Sequence, residues 1–297
     1  MHPLESLLAS YPYLLADGAM GTMLMDAGLE RGDVPESWNS LHPERVRAVH
    51  RGYIEAGSQI ILTNTFGGNR FRLQRRGLQA AVGAELNRAA AQLARAEADI
   101  APHKVIVAGS LGPTGDLLQP LGAMSFEDAK VAFAEQAAAL AEGGVDVLWV
   151  ETMSDLEEVR AAVEGARSVS DLPLVATMTF DTKGRTMMGV KPVQALEMIR
   201  QFKPVALGAN CGKGPDELEA TIQDMHRADA SMILVAKANA GLPEIVDGEI
   251  VYRATPEVMA GYAVRVYELG ARIIGACCGS TPKHIQAMAE ALRAHLA

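Results

Sequence analysis

Apolar residues along this chain fall into two alternating periods. Eight short runs are rich in small and β-branched apolar residues and are closed off by Gly, Pro or polar positions. They are YLLADG (13–18), QIILTNTF (59–66), KVIVAGSLG (104–112), VDVLWVET (145–152), LPLVATMTF (172–180), PVALGANC (204–211), SMILVAKANA (231–240) and ARIIGACC (271–278). Short continuous runs of this kind predict strands buried on both faces. Between them lie 42–57, 125–144, 154–168, 214–228, 255–270 and 280–296, where apolar residues return every three or four positions, which predicts amphipathic helices. Ser125, Ser154, Thr255 and Thr281 stand where N-caps belong, each followed within the first turn by an acidic residue or a proline.

Strand and helix alternate from end to end with no Pro/Gly/Ser-rich linker between them. That predicts one α/β domain over residues 1–297, a single closed (β/α)8 TIM barrel. A doubly wound open sheet is the rival, but it has fewer strands and a GxGxxG turn after the first, and DGAMGT lacks that spacing.

Composition narrows the partners. The formal net charge of −9 argues against nucleic acid or an anionic membrane surface as a ligand. The densest basic cluster, Arg70, Arg72, Arg75 and Arg76, reads as a solvated helix face or an anion contact. No uninterrupted apolar stretch reaches membrane-spanning length, and the N-terminus lacks the basic head and apolar core of a signal peptide. With three cysteines in 297 residues, the expectation is a cytoplasmic protein with reduced thiols.

In a barrel of this kind the chemistry sits at the C-terminal ends of the strands. Those ends carry Asp17, Asn64, the Gly-rich 109–115 turn, Glu151, Asp181, Cys211, Asn239 and the adjacent pair Cys277 and Cys278. All three cysteines therefore fall at strand ends. Strands two apart are roughly 10 Å from each other, a gap that side chains converging on one ion can close. Sulfurs of a tetrahedral zinc site lie within roughly 4 Å of one another. Gly212, Gly275 and Gly279 give the backbone the tight turns needed to aim the thiols together. Three thiolates leave the fourth position open, as in catalytic zinc sites. The competing readings are buried cysteine filler and a vicinal Cys277–Cys278 disulfide. A thiol bound to such a zinc ionises below its ordinary pKa, so the implied chemistry is alkyl transfer to a thiol. Asp17 and Glu151 could grip an ammonium group, and backbone N–H groups at Gly18 and Ala19 a carboxylate, which together suit a thiol-bearing amino acid.

The stretches DGAMGTML (17–24), LTNTFGGNR (62–70), GSLGPTG (109–115), ET (151–152), GANCG (208–212) and GACCG (275–279) resemble, in this order, the homocysteine S-methyltransferase family. The resemblance covers essentially the whole chain and implies a zinc-bearing (β/α)8 barrel that methylates homocysteine to methionine. It implies Cys211, Cys277 and Cys278 as zinc ligands and as the catalytic centre. Asp17, Gly18 and Glu151 would contact homocysteine, and Asn239 would lie beside the metal when substrate is absent.

The methyl donors within this family are methylcobalamin, betaine and S-methylmethionine. A quaternary ammonium donor wants an aromatic cage. The resemblance to betaine-using enzymes of the family implies such a cage at Val34, Gly67 and Thr152, none aromatic, although Trp38 and Phe66 lie near them in sequence. The DGAMGTM, NTF and NAGLP stretches lean toward methylcobalamin, which on one barrel alone would have to arrive on a separate corrinoid protein. The loop 181–190, DTKGRTMMGV, would be its docking surface, a lid, or simply a mobile loop. Two other readings stand beside this one. The first is a non-catalytic zinc barrel that presents a thiol to a partner. The second is a metal-free lyase or aldolase with Lys237 as a Schiff-base residue. Self-association is left open.

Overall fold

The computed structural model describes residues 2–246 and 249–297. Its strands in chain order are β1 (Leu14–Leu15), β2 (Ile60–Leu62), β3 (Ile106–Leu111), β4 (Val147–Met153), β5 (Leu174–Met178), β6 (Ala206–Cys211), β7 (Leu234–Ala238), β8 (Pro243–Val246), β9 (Glu249–Tyr252) and β10 (Ala271–Ala276). Eight of these form one parallel sheet in the order β1-β10-β7-β6-β5-β4-β3-β2. A bridge between Ala16 and Ile60 joins its two edges, reinforced by Asp17 N–H donating to Ile60 O at 2.9 Å and Gln59 N–H to Leu15 O at 2.7 Å. The sheet is the expected (β/α)8 barrel, and each of the eight predicted runs overlaps one of its strands.

Period-two alternation divides the strand residues between two cores. Leu14, Ile60, Ile106, Ala108, Val147, Trp149, Val175, Ala206, Val235 and Ile273 pack together inside the barrel. Their neighbours Leu15, Ile61, Val107, Leu148, Val150, Ala176, Leu207, Ala236 and Ile274 pack outward against the helices. The floor is closed by the helix Pro3–Ser10, whose Leu4 and Leu8, one turn apart, join the inner cluster. The sequence pattern did not single out that helix. Each of the six predicted helical segments contains a helix, with Ser125 and Thr255 capping as expected. At 154–168 the cap is Asp155, which accepts from Glu157 N–H, and not Ser154. Thr281 is the N-cap of its helix as expected, and His284 Nδ1 accepts from the Thr281 N–H in return.

Strands β8 and β9 form an antiparallel hairpin between β7 and the helix Pro256–Glu268. The alternating pattern gave no sign of it. The basic cluster is not a free anion site: Arg70 pairs with Glu135 and Arg75 with Asp116, while the Arg72 guanidinium lies over the Phe66 ring. Among the described residues no helix is long and apolar enough to cross a membrane.

Trp149 is the largest fully buried side chain of the barrel interior. Trp149→Ala should cost about 3–5 kcal/mol through lost burial and the cavity it leaves. Trp149→Phe, which keeps most of the volume, should cost much less. Urea unfolding midpoints of the two variants check this; equal losses would mean that the interior is not packed around this ring.

Candidate metal and thiol site

Continuing the inward parity of the strands past the Trp149 layer changes the chemistry of the interior. The next inward positions are Ser110 on β3, Glu151 on β4, Thr177 on β5, Asn210 on β6 and Lys237 on β7, all buried. Asp17, just past β1, joins them. Its Oδ1 accepts from Lys237 Nζ at 2.6 Å and its Oδ2 from Leu62 N–H at 2.7 Å. Glu151 Oε1 accepts from Ser110 Oγ at 2.5 Å.

The cysteines sit above this layer. Cys211 ends β6, and Cys277 and Cys278 follow β10, with β7 between the two strands. Their Sγ atoms all lie within 4.8 Å of one another, Cys211 and Cys277 being 2.8 Å apart. All three are free thiols, so neither a vicinal disulfide nor any other pairing is present. The backbone is bent to bring them together. Cys211 itself has φ 61°, a left-handed conformation costly for a side-chain-bearing residue, and Gly212 (φ 77°) and Gly279 (φ 78°) continue the turns. Gly275 acts differently from expectation: it turns nothing, but a Cβ there would meet Ala16 Cβ at 2.9 Å and Asp17 O at 3.0 Å.

Two asparagines hold these turns. Asn210 Oδ1 accepts from Thr152 N–H (2.9 Å) and Thr177 Oγ1 (2.6 Å), while its Nδ2 donates to Thr152 Oγ1 (2.7 Å) and toward Cys211 Sγ (3.4 Å). Thr152 is left-handed too, at φ 62°. Asn239 spans both cysteine loops: Nδ2 donates to Gly212 O at 2.6 Å and Oδ1 accepts from Cys278 N–H at 3.1 Å. Both ends of its amide are engaged by backbone. Tyr252, at the end of β9, lies close enough for its hydroxyl to favour the thiolate of Cys278.

Burial and mutual contact govern the ionisation of these groups. Hydrogen bonds from Cys211 and Cys277 favour Cys278 as the thiolate and draw it down to about 3. The contact with Cys211 also favours ionisation of Cys277, but its hydrogen bond to Cys278 and its burial prevail and push it up to about 12. Three such thiols cannot all ionise unless a cation joins them. A disulfide-free thiol cluster of this spacing fits a thiophilic divalent ion. Burial also raises Glu151 to about 7 against the pull of Lys237. Burial draws the Lys237 ammonium down, but Asp17 and Glu151 outweigh it and hold its pKa above the ordinary lysine value.

Several expectations change here. Lys237 is a charged partner of Asp17 and not the neutral amine that a Schiff base requires. Ala19 N–H, expected to hold a carboxylate, donates to Ser280 Oγ at 3.0 Å, and Ser280 in turn donates to Cys277 O at 2.7 Å. Gly18 allows this stitching, since a Cβ there would lie 2.3 Å from Ser280 Oγ. Asn64 is bound to Pro35 O and Asn39, and Asp181 is an exposed loop residue that accepts from Thr182. The 181–190 loop is built of hydrogen-bonded turns, with Met187 exposed and Met188 half-buried. Asn210, Ser110, Tyr252 and Ser280 escaped the sequence reading, and Thr152 entered it only as a cage position. Parity could have found Ser110 and Asn210, since a polar residue at an inward strand position needs a buried partner; nothing local marks Tyr252.

Fold and site together define a (β/α)8 barrel with three thiols over a buried charged layer at the C-terminal ends of its strands. Residues 14–292 match the homocysteine S-methyltransferase family, and the chain belongs to that family. Methionine synthases of Mycobacterium leprae and Mycobacterium tuberculosis are each 32% identical to it over 94% of its length. The chain spans 24% of the length of these curated relatives. It also superposes on the metallated homocysteine methyltransferase MmuM of Escherichia coli with a TM-score of 0.81. The two are 27% identical, and the match covers 96% of this chain and 98% of that one.

Glu151 supplies a pH test. Its folded pKa, about 7, lies above the ordinary 4.5. The stability it contributes is therefore present below pH 4.5 and is lost as pH rises through 7. In metal-free, reduced protein, Glu151→Gln should gain on the wild type between pH 5 and pH 8, by on the order of 3 kcal/mol. Denaturant titrations across that range measure it; a pH-independent difference would mean that Glu151 is not a desolvated carboxyl.

Proposed function

We propose that this chain is a zinc-dependent methyltransferase that transfers a methyl group to the thiol of homocysteine, forming methionine. The donor is methylcobalamin carried by a separate protein. The observation that carries the reading is the convergence of Cys211, Cys277 and Cys278 over a buried layer containing Glu151, Asp17 and Lys237. The cysteines would hold zinc, which when bound lets an acceptor thiol ionise near neutral pH.

The chain's own residues supply the rest. Asn210 and Asn239 fix the strained cysteine turns in advance, so little reorganisation is left for binding. Glu151, its carboxyl tuned close to neutrality, takes the ammonium group of the acceptor. The Trp149 layer closes the site from below. Similarity to methionine synthases supports methionine as the product, and the DGAMGTM, NTF and NAGLP stretches lean toward a corrinoid donor. The aromatic residues argue in the same direction. Trp38 is buried against His42 and Arg45, and Phe66 lies beneath Arg72, so neither offers an open face to a quaternary ammonium.

Protein purified in reductant should carry close to one zinc per chain, and Cys211→Ala or Cys278→Ala should lose most of it; metal analysis decides. The loaded enzyme with homocysteine should form methionine from methylcobalamin and not from betaine or S-methylmethionine alone. A metal-free wild type would refute the zinc site, and turnover on betaine would refute the donor.

A further inference from the structure

Strand β4 does not run evenly against its neighbour. Val150 pairs with Ala176 of β5 and Met153 with Met178, so two residues of β4, Glu151 and Thr152, lie against Thr177 alone. An extra residue of this kind makes a β-bulge, which re-aims a side chain and leaves one backbone unit outside the ladder. Thr152 takes up the left-handed conformation there. Its N–H is received by a side chain from another strand: Asn210 Oδ1 accepts it at 2.9 Å. Asn210 stands on β6, with β5 between it and β4. Among the described residues other than glycine, four have positive φ, and this one amide joins two of them, Thr152 and Cys211.

Most of the bonding of Asn210 is directed away from the cysteine turn. Three of its four side-chain hydrogen bonds join it to β4 and β5: from Thr152 N–H, from Thr177 Oγ1 and to Thr152 Oγ1. The fourth, toward Cys211 Sγ, is the longest at 3.4 Å. An amide needed only to support Cys211 would not have to reach across β5. Both lone pairs of Oδ1 and both protons of Nδ2 are in use, and a flipped amide would set Nδ2 against Thr152 N–H. Asn210 therefore cannot turn to suit one end without losing the other. Asn239 differs, because its amide bonds to the two cysteine loops alone. We propose that Asn210 is a positioning residue for both halves of the site at once. It holds Cys211 for the metal and, through the bulge at Thr152, holds Glu151 for the ammonium group of the acceptor, whereas Asn239 serves the metal half only. The assignment rests on the thiol-amino-acid reading given above.

The test reads the two halves separately in the full, reduced chain and does not depend on turnover. Zinc affinity is measured by competition with a chelator. The ammonium receptor is read by calorimetry on zinc-loaded protein, as the ratio of the affinities for homocysteine and for 4-sulfanylbutanoate, which lacks only the amino group. Both thiols meet the metal through sulfur, so changes at the metal cancel in the ratio. The wild type should favour homocysteine by about tenfold or more, and Glu151→Gln should remove most of that preference. Asn239→Ala should weaken zinc by about tenfold to a hundredfold and leave the ratio unchanged. Asn210→Ala should weaken zinc to a similar degree and also lower the ratio, by about fivefold. Thr152→Val keeps the side-chain volume and removes the hydroxyl to which Asn210 donates; it should lower the ratio with zinc affinity unchanged, and it decides the matter if Asn210→Ala does not fold. A wild-type ratio in Thr152→Val, or in an Asn210→Ala protein whose zinc is weakened, would overturn the assignment and leave the metal and thiol readings intact. A wild type that binds both thiols equally would overturn the amino-acid reading itself, and this inference with it.

Discussion

Closure of eight parallel strands into a barrel imposes the constraint on which the rest of this protein depends. Alternate residues of every strand must point into one shared interior. For most of its depth that interior is apolar, from Leu4 and Leu8 at the floor to Trp149. One step further along the same strands it becomes Ser110, Glu151, Thr177, Asn210 and Lys237. The polar layer is stable because its charges and amides are partnered: Lys237 with Asp17, Glu151 with Ser110, Asn210 with Thr152 and Thr177. The same geometry that packs the core thus delivers a desolvated charged layer near its mouth.

Above that layer the backbone departs from regular strand structure to gather sulfur. Left-handed turns at Thr152, Cys211, Gly212 and Gly279 cluster within the site, and strain of this kind persists only where surrounding contacts over-determine it. Asn210 and Asn239 provide those contacts, one inside the barrel and one across the two cysteine loops. Ser280 ties the loop after β1 to the loop after β10 by joining Ala19 to Cys277. The thiols are therefore positioned by the fold rather than by one another.

Much of this was legible in the sequence, for identifiable reasons. Short apolar runs bounded by turn residues marked all eight barrel strands, because a strand buried on both faces has little other way to be written. The cysteines were legible because each stands at a strand's C-terminal end. The helix Pro3–Ser10 was missed because its eight residues are too short to establish a period, and the β8–β9 hairpin because it interrupts the barrel alternation. The partnerships of Asp17 and Ala19 were hidden for another reason: Lys237 and Ser280 are more than two hundred residues away in the chain, joined only when the barrel closes. Asp17 was visible as a strand-end acid, but its lysine was read as an independent nucleophile.

The central claim is that the three cysteines bind zinc and leave room on it for an acceptor's sulfur. X-ray absorption at the zinc edge counts those sulfurs directly, at Zn–S distances of about 2.3 Å. Three are expected from Cys211, Cys277 and Cys278, and homocysteine should raise the count by one. A sulfur count that does not change when homocysteine is added would contradict the account.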